Sequence, residues 1–153
     1  MSTRMCRQLV GLGVLVMLTA TTARAVQQNA AEEARLKKLD AGPKVINVGQ
    51  YSAEQQKAYK LFQTKCSSCH QLSRGIGTEM VVPADWERYI KRMMYKPNSG
   101  ISSDEGRTLY RFLVYDSSVR KADLLRKALA ALPAADQAAA MQTIASVNPA
   151  FAR

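Results

Sequence analysis

The stretch "CSSCH" at residues 66–70 decides how the rest of this 153-residue chain is interpreted. Cys66 and Cys69 are separated by two serines, and His70, the only histidine of the chain, follows directly. A structural zinc site needs about four nitrogen or sulfur ligands, and this stretch offers fewer. A thioredoxin-like redox pair would begin a helix within a βαβ pattern, and no strand pattern surrounds these residues. A plain disulfide would leave the histidine unexplained.

The same spacing is the attachment signature of c-type haem. In such a site Cys66 and Cys69 form thioethers with the haem vinyl groups, and His70 takes one axial position on the iron. Because the two sulfurs hold one edge of the macrocycle, the next residue is placed over the metal. The chain contains a single C-x-x-C-H stretch, so we expect one covalently bound haem c.

Residues 1–25 have the layout of a secretory signal peptide. Arg4 and Arg7 precede a short apolar run over 9–18, and Ala23-Arg24-Ala25 fits the small-x-small pattern before a cleavage site. The alternative is a retained anchor, but the apolar run is about half of the ~20 residues that a membrane-spanning helix needs. We therefore expect cleavage after Ala25 and a soluble periplasmic protein without a transmembrane anchor. Haem attachment of this kind takes place outside the cytoplasm, which agrees with export.

The charge of the chain is strongly basic, at +10 for the full sequence. Three basic residues and no acidic residue precede the expected cut, so the mature chain would carry +7. Such a surplus suits nucleic acid, an anionic membrane or an acidic protein partner. Export argues against nucleic acid. We expect redox partner proteins with an acidic docking surface, and the alternative is a basic surface that is only solvated.

Helix signals before and after the motif predict an all-α fold. Ser52 and Gln55 have the spacing of a capping box, and the helix that they begin runs directly into Cys66. The stretch "QLSRGIGTEMVV" at 71–82 has two glycines and little periodicity, which predicts a loop. Pro83 is placed to open a second helix, which must end by Lys96-Pro97.

A third helix is predicted from Ser102, which with Glu105 forms another capping-box pattern. These three or more short helices would form a core around the haem. We expect an N-terminal arm over 26–49, a haem domain over 50–116 and a helical C-terminal extension over 117–153. The extension either packs on the core or joins the chain to a larger complex.

The sixth iron ligand cannot be a second histidine from this chain, and methionine is the usual alternative. At about 100° per residue, Met93 falls about 20° from Trp86 on the apolar face of its helix, and Met94 falls about 80° away at the margin. We therefore expect Met93 as the distal ligand. Met94 and Met80 remain alternatives, although Met80 would have to pass round the haem edge on a short loop. Methionine on such a face is also a common core residue.

Several positions resemble the class I c-type cytochromes over about residues 50–116. Phe62 matches an aromatic position in the first helix of that family, and "LYRFL" at 109–113 is similar to its last helix. The stretch "WERYIKRM" at 86–93 is similar to a subgroup of small monohaem cytochromes in which the methionine near the helix end binds iron. The resemblance implies a cytochrome c-like fold with Met93 as ligand. The chain departs from the family at Ala58, where glycine is common, and it lacks a proline closely after His70.

The function expected from these features is one-electron transfer by a periplasmic carrier. An iron atom saturated by His70 and Met93 has no position for a substrate, so we expect no enzymatic activity. The alternative is a haem c subunit docked in a larger oxidoreductase or reaction-centre complex. An open-site enzyme or gas sensor would need a distal donor group, and the sequence has no second histidine to supply it.

Overall fold

The computed structural model describes residues 27–151. The predicted signal peptide over 1–25 and its cleavage site lie outside the described residues. The described residues fall into two units, one within 1–41 and the other within 42–153. In the described part of the first unit, residues 27–40 form helix α1.

The second unit contains helices α2 to α7 in the part of the chain that is described. Their bounds are Ala53–Cys66 for α2, Ser73–Ile76 for α3, Pro83–Met94 for α4, Ser103–Arg120 for α5, Ala122–Ala130 for α6 and Ala134–Val147 for α7. Residues 27–151 contain no strand, which confirms the predicted all-α class. The predicted loop over 71–82 is wrong at α3, where Gly75 and Ile76 bond back to the Leu72 carbonyl.

The starts of three helices follow the local signals in the sequence. Ser52 caps α2 by accepting a hydrogen bond from the Gln55 backbone N–H, but the reciprocal bond from the Gln55 side chain is not made. At α5 both bonds of the capping box are present, from Glu105 N–H to Ser102 Oγ and from Ser102 N–H to Glu105 Oε2. Pro83 occupies the first turn of α4, where its missing N–H costs nothing.

Helix α5 lies at the centre of this unit and packs against α2, α4, α6 and α7. The α2–α5 contact is aromatic, with the Phe62 and Phe112 ring centroids 5.7 Å apart and both rings buried. Trp86 anchors α4 in the same core and donates its indole N–H to Ser117 Oγ at 2.9 Å. Burial of each of these large side chains stabilises the fold by ~1.5–3 kcal/mol. Because Phe62 of α2 and Trp86 of α4 both contact α5, this helix lies at the centre of the apolar core.

The C-terminal helices pack on this core through fully buried side chains. Leu125 of α6 and Ile144 of α7 have no exposed surface. The predicted boundary after Asp116 falls inside α5, which continues without a break to Arg120. Within the predicted helical extension from 117 onward, Lys121 separates the end of α5 at Arg120 from the start of α6 at Ala122. Within residues 27–151, none of the helices is long and apolar enough to cross a membrane.

A buried ion pair connects α5 with the segments on either side of the motif. Asp116 accepts hydrogen bonds from the Tyr51 hydroxyl at 2.9 Å and from Arg120 at 3.1 and 2.6 Å. Arg120 also donates to the Ile76 carbonyl at the end of α3. Lys121 donates to the Thr78 carbonyl at 2.6 Å. These bonds hold the segment between α3 and α4 against the C-terminal end of α5.

Candidate functional site

The two cysteines lie at the point where α2 ends. Cys66 is the last residue of the helix and is buried, whereas Cys69 is exposed, and both are free thiols. The Ser67 N–H bonds to the Gln63 carbonyl, and the Ser68 hydroxyl donates to the Lys65 carbonyl at 2.8 Å. These bonds turn the chain at the helix end and present both sulfurs on one short segment.

A small cavity of about 30 Å³ lies beside this segment. Its lining brings together the four side chains that the sequence singled out, Cys66, Cys69, His70 and Met93. The remaining lining residues come from the adjoining turn and from the loop between α4 and α5. These residues are Lys65, Ser68, Lys96, Ser99 and Ile101. A cavity of this size holds about one water molecule.

The His70 imidazole is oriented by hydrogen bonds at both nitrogens. Its Nδ1 lies 2.9 Å from the Gln71 carbonyl oxygen, which accepts only if Nδ1 carries the proton. In that tautomer Nε2 is unprotonated, and its lone pair faces the Tyr89 hydroxyl at 3.4 Å. Nε2 is therefore the nitrogen available to a metal.

The three candidate methionines lie in different surroundings. Met93 lines the cavity with the two thiols and the imidazole. Met94, one residue further, packs on α5 at Gly106 and lines a separate groove of about 440 Å³. Met80 lies in the segment before α4, where its N–H donates to Thr78 Oγ1 and its side chain packs partly on the core. The structure thus brings Met93, and neither Met94 nor Met80, to the residues of the motif.

Burial raises the pKa values of two acidic groups at the site, the Cys66 thiol and the Tyr89 phenol. Burial raises the pKa of the Cys66 thiol to about 12, with a further contribution from Cys69. Burial also raises the pKa of the Tyr89 phenol to about 12, and the neighbouring Cys66 adds to this shift. At neutral pH the thiol and the phenol are therefore protonated. The Tyr89 hydroxyl is a donor toward His70 Nε2.

Tyr89 is the site residue that the sequence analysis missed. It precedes Met93 by four residues, so both side chains lie on the same face of the helix. Its ring packs edge-on against Trp86 and under the Arg92 guanidinium, at centroid distances of 5.8 and 5.5 Å. The helical spacing relative to Met93 was the available signal.

Lys65, which lines the cavity, forms a salt bridge with α5. Lys65 Nζ lies 2.9 Å from Glu105 Oε1 and donates to the Gly100 carbonyl at 2.6 Å. Lys65 directly precedes Cys66, and Glu105 belongs to the capping box of α5. The end of α2 that carries the motif is therefore attached to the first turn of α5.

The donor set has the chemistry that a covalently attached haem requires. It consists of two unmodified thiols, one imidazole whose Nε2 is unprotonated, and one thioether. Among residues 27–151, no group of three or more His, Cys, Asp or Glu side chains is arranged to hold a metal ion. Comparisons of the chain with protein-family models, curated proteins and solved structures found no match.

Proposed function

We propose that this chain is an exported electron-transfer protein that carries one covalent haem c. Cys66 and Cys69 would form the thioethers, and His70 and Met93 would be the axial iron ligands. The observation that carries the proposal is the convergence of these four side chains on one cavity. Met93 is distant from the motif in sequence, so the C-x-x-C-H spacing does not by itself bring Met93 to this cavity. A cytochrome c-like core around the haem is part of the same proposal.

The haem would supply a one-electron redox couple, whose potential the protein sets through ligands and burial. The residues of the chain would hold and orient the group. The end of α2 presents the two thiols, and the Gln71 carbonyl keeps His70 in the tautomer that can bind iron.

An iron atom held by two ligands from this chain would suit an electron carrier rather than an enzyme. With His70 and Met93 both bound, the iron would offer no position to a substrate or a gas. Tyr89 supplies a hydroxyl at the site, but that hydroxyl faces His70 Nε2. The basic charge would speed encounters with a redox partner that has an acidic docking surface. We place the carrier in the periplasm on the basis of the signal-like residues 1–25.

The second candidate is a haem c subunit of a larger oxidoreductase or reaction-centre complex, held by the C-terminal helices. The packing of those helices favours the free carrier, because Leu125, Leu129 and Ile144 are buried within this chain. Size-exclusion chromatography of the native protein separates the two candidates. A complex subunit would elute with its partners, whereas the carrier would elute alone.

The test of the proposal is maturation of the full chain in a host that attaches haem to exported proteins. We expect a haem that stays with the chain under denaturing conditions, and its loss in Cys66→Ser with Cys69→Ser. The ferric protein should show the far-red methionine-to-iron band, which should vanish in Met93→Ala and persist in Met80→Ala. A high-spin wild type that binds carbon monoxide at once would contradict the carrier. Absence of covalent haem would end the proposal.

A further inference from the structure

The thioether of Met94 lies directly against the backbone of α5. A Cβ atom built at Gly106 would lie 2.5 Å from Met94 Sδ and 3.3 Å from Met94 Cε. The sulfur therefore occupies the space that a side chain at position 106 would need. Glycine is unfavourable within a helix, and Gly106 is a helical residue whose φ is not in the left-handed region. The close approach of Met94 supplies the physical reason for a glycine here.

Met93 and Met94 are directed to different sides of α4. Met93 lines the cavity of the motif, and Met94 lines the groove between α4 and α5 together with Tyr110. Neighbouring residues of a helix are about 100° apart, so one rotation of α4 about its axis places both side chains. Contact between Met94 and Gly106 therefore favours the rotation that turns Met93 toward His70.

The first turn of α5 also contacts the end of α2, which carries the motif. Glu105, adjacent to Gly106, pairs with Lys65 at 2.9 Å, and Lys65 is adjacent to Cys66. Glu105 is itself fixed by the capping box with Ser102. One helical turn thus contacts both elements that contribute to the site, α2 through its charged end and α4 through Met94.

We propose that Gly106 and Met94 are positioning residues that set the rotation of α4 and so select Met93 as the thioether presented to the site. The proposal rests on the proposed function, because iron is what Met93 would bind. Met94 contributes packing volume here, and its sulfur is not a ligand. Gly106 contributes the absence of a side chain.

The experiment compares five variants of the haem-loaded full chain: Met94→Leu, Met94→Ala, Gly106→Ala, the double variant Gly106→Ala with Met94→Ala, and Met141→Ala. Met94→Leu keeps the volume without the sulfur and should retain the far-red band. Met94→Ala and Gly106→Ala should each raise the fraction of ferric molecules without the band about two- to tenfold. The double variant should lie nearer to wild type than the sum of the single effects. Met141→Ala, which removes a partly buried methionine from α7, controls for general destabilisation and should leave the band unchanged.

Loss of the band in Met94→Leu would make Met94 a ligand and overturn the proposal. A full band in both Met94→Ala and Gly106→Ala would also overturn it. If the wild type attaches no haem, the proposed function fails separately. The contact is then tested in the haem-free chain by urea unfolding of the Gly106 and Met94 single and double alanine variants. Non-additive changes in stability support the contact, and additive changes overturn it.

Discussion

Replacement of Asp116 by alanine should be among the most damaging single changes in this chain. The Asp116 side chain is only 4% exposed and accepts hydrogen bonds from the Tyr51 hydroxyl and from two nitrogens of Arg120. Asp116→Ala would leave Arg120 half-buried without its carboxylate and the Tyr51 hydroxyl without an acceptor. A change of this kind leaves an uncompensated charge in the protein, which costs more than the ion pair contributes.

The size of the effect follows from the exposure of the two partners. Breaking a fully buried pair costs ~3–5 kcal/mol. The Arg120 side chain is 29% exposed and regains part of its hydration, so we reduce this to ~2–3 kcal/mol. Loss of the hydrogen bond that the Tyr51 hydroxyl donates to the Asp116 carboxylate adds ~1 kcal/mol. The expected total of ~3–4 kcal/mol is a large part of the ~5–15 kcal/mol by which small domains are stable.

The assay is urea unfolding followed by circular dichroism, with Asp104→Ala as the matched control. Asp104 is on the same helix and pairs with Arg107, but these side chains are 84% and 71% exposed. Exposed pairs contribute ~0–1 kcal/mol, so the control should lose no more than that. If Asp116→Ala and Asp104→Ala differ by less than ~1 kcal/mol, the assignment of a stabilising buried network is wrong.

Three further outcomes follow from single contacts. In the haem-free chain at pH 8, iodoacetamide should alkylate exposed Cys69 before buried Cys66. Burial raises the Cys66 pKa from 9.0 to about 12, so the thiolate fraction of Cys66 is reduced ~1000-fold. Equal alkylation rates of the two cysteines by mass spectrometry would contradict this. Trp86→Phe should cost ~2–3 kcal/mol in urea unfolding, because it removes buried volume and the donor to Ser117. Burial lowers the Lys121 pKa from 10.5 to about 8, so the unfolded chain binds more protons between these values and this group's contribution to stability rises with pH. The stability of wild type relative to Lys121→Met should increase by ~1–2 kcal/mol from pH 8 to 10.5, and a flat difference would refute it.

Local signals in the sequence were sufficient to place the starts of the main helices. The capping residues Ser52 and Ser102, and Pro83 in the first turn of α4, act through contacts within a few residues. Such contacts can be recognised without knowing the fold. The end of α5 was not recognised, because Ser117 and Ser118 suggest a break when they are considered alone. In the structure these serines are buried and bonded to Trp86 and Asn148, which are distant in sequence.

The same distinction applies to the candidate site. The motif at 66–70 and the position of Met93 on α4 follow from spacing, and the structure brings them to one cavity. Spacing within α4 places Tyr89 on the same face as Met93, but the contact of Tyr89 with His70 and that of Met94 with Gly106 depend on how α4 packs on other elements. By angle alone, Met93 and Met94 are separated by one residue of helical rotation, about 100°. The packing of Met94 on Gly106 supplies the missing constraint.

Helix α5 holds both ends of the chain segment that separates the motif from Met93. Its first turn contacts Met94 through Gly106, and its last turn holds the Ile76 carbonyl through Arg120. The segment from α3 to α4 is thus fixed at the end nearest the motif and at the end nearest Met93. A shift of α5 along its axis would move both fixed points together, whereas a local change at either end would alter the separation of Met93 from His70. The separation of Met93 from His70 therefore depends on both ends of α5, a helix that contributes no side chain to the cavity.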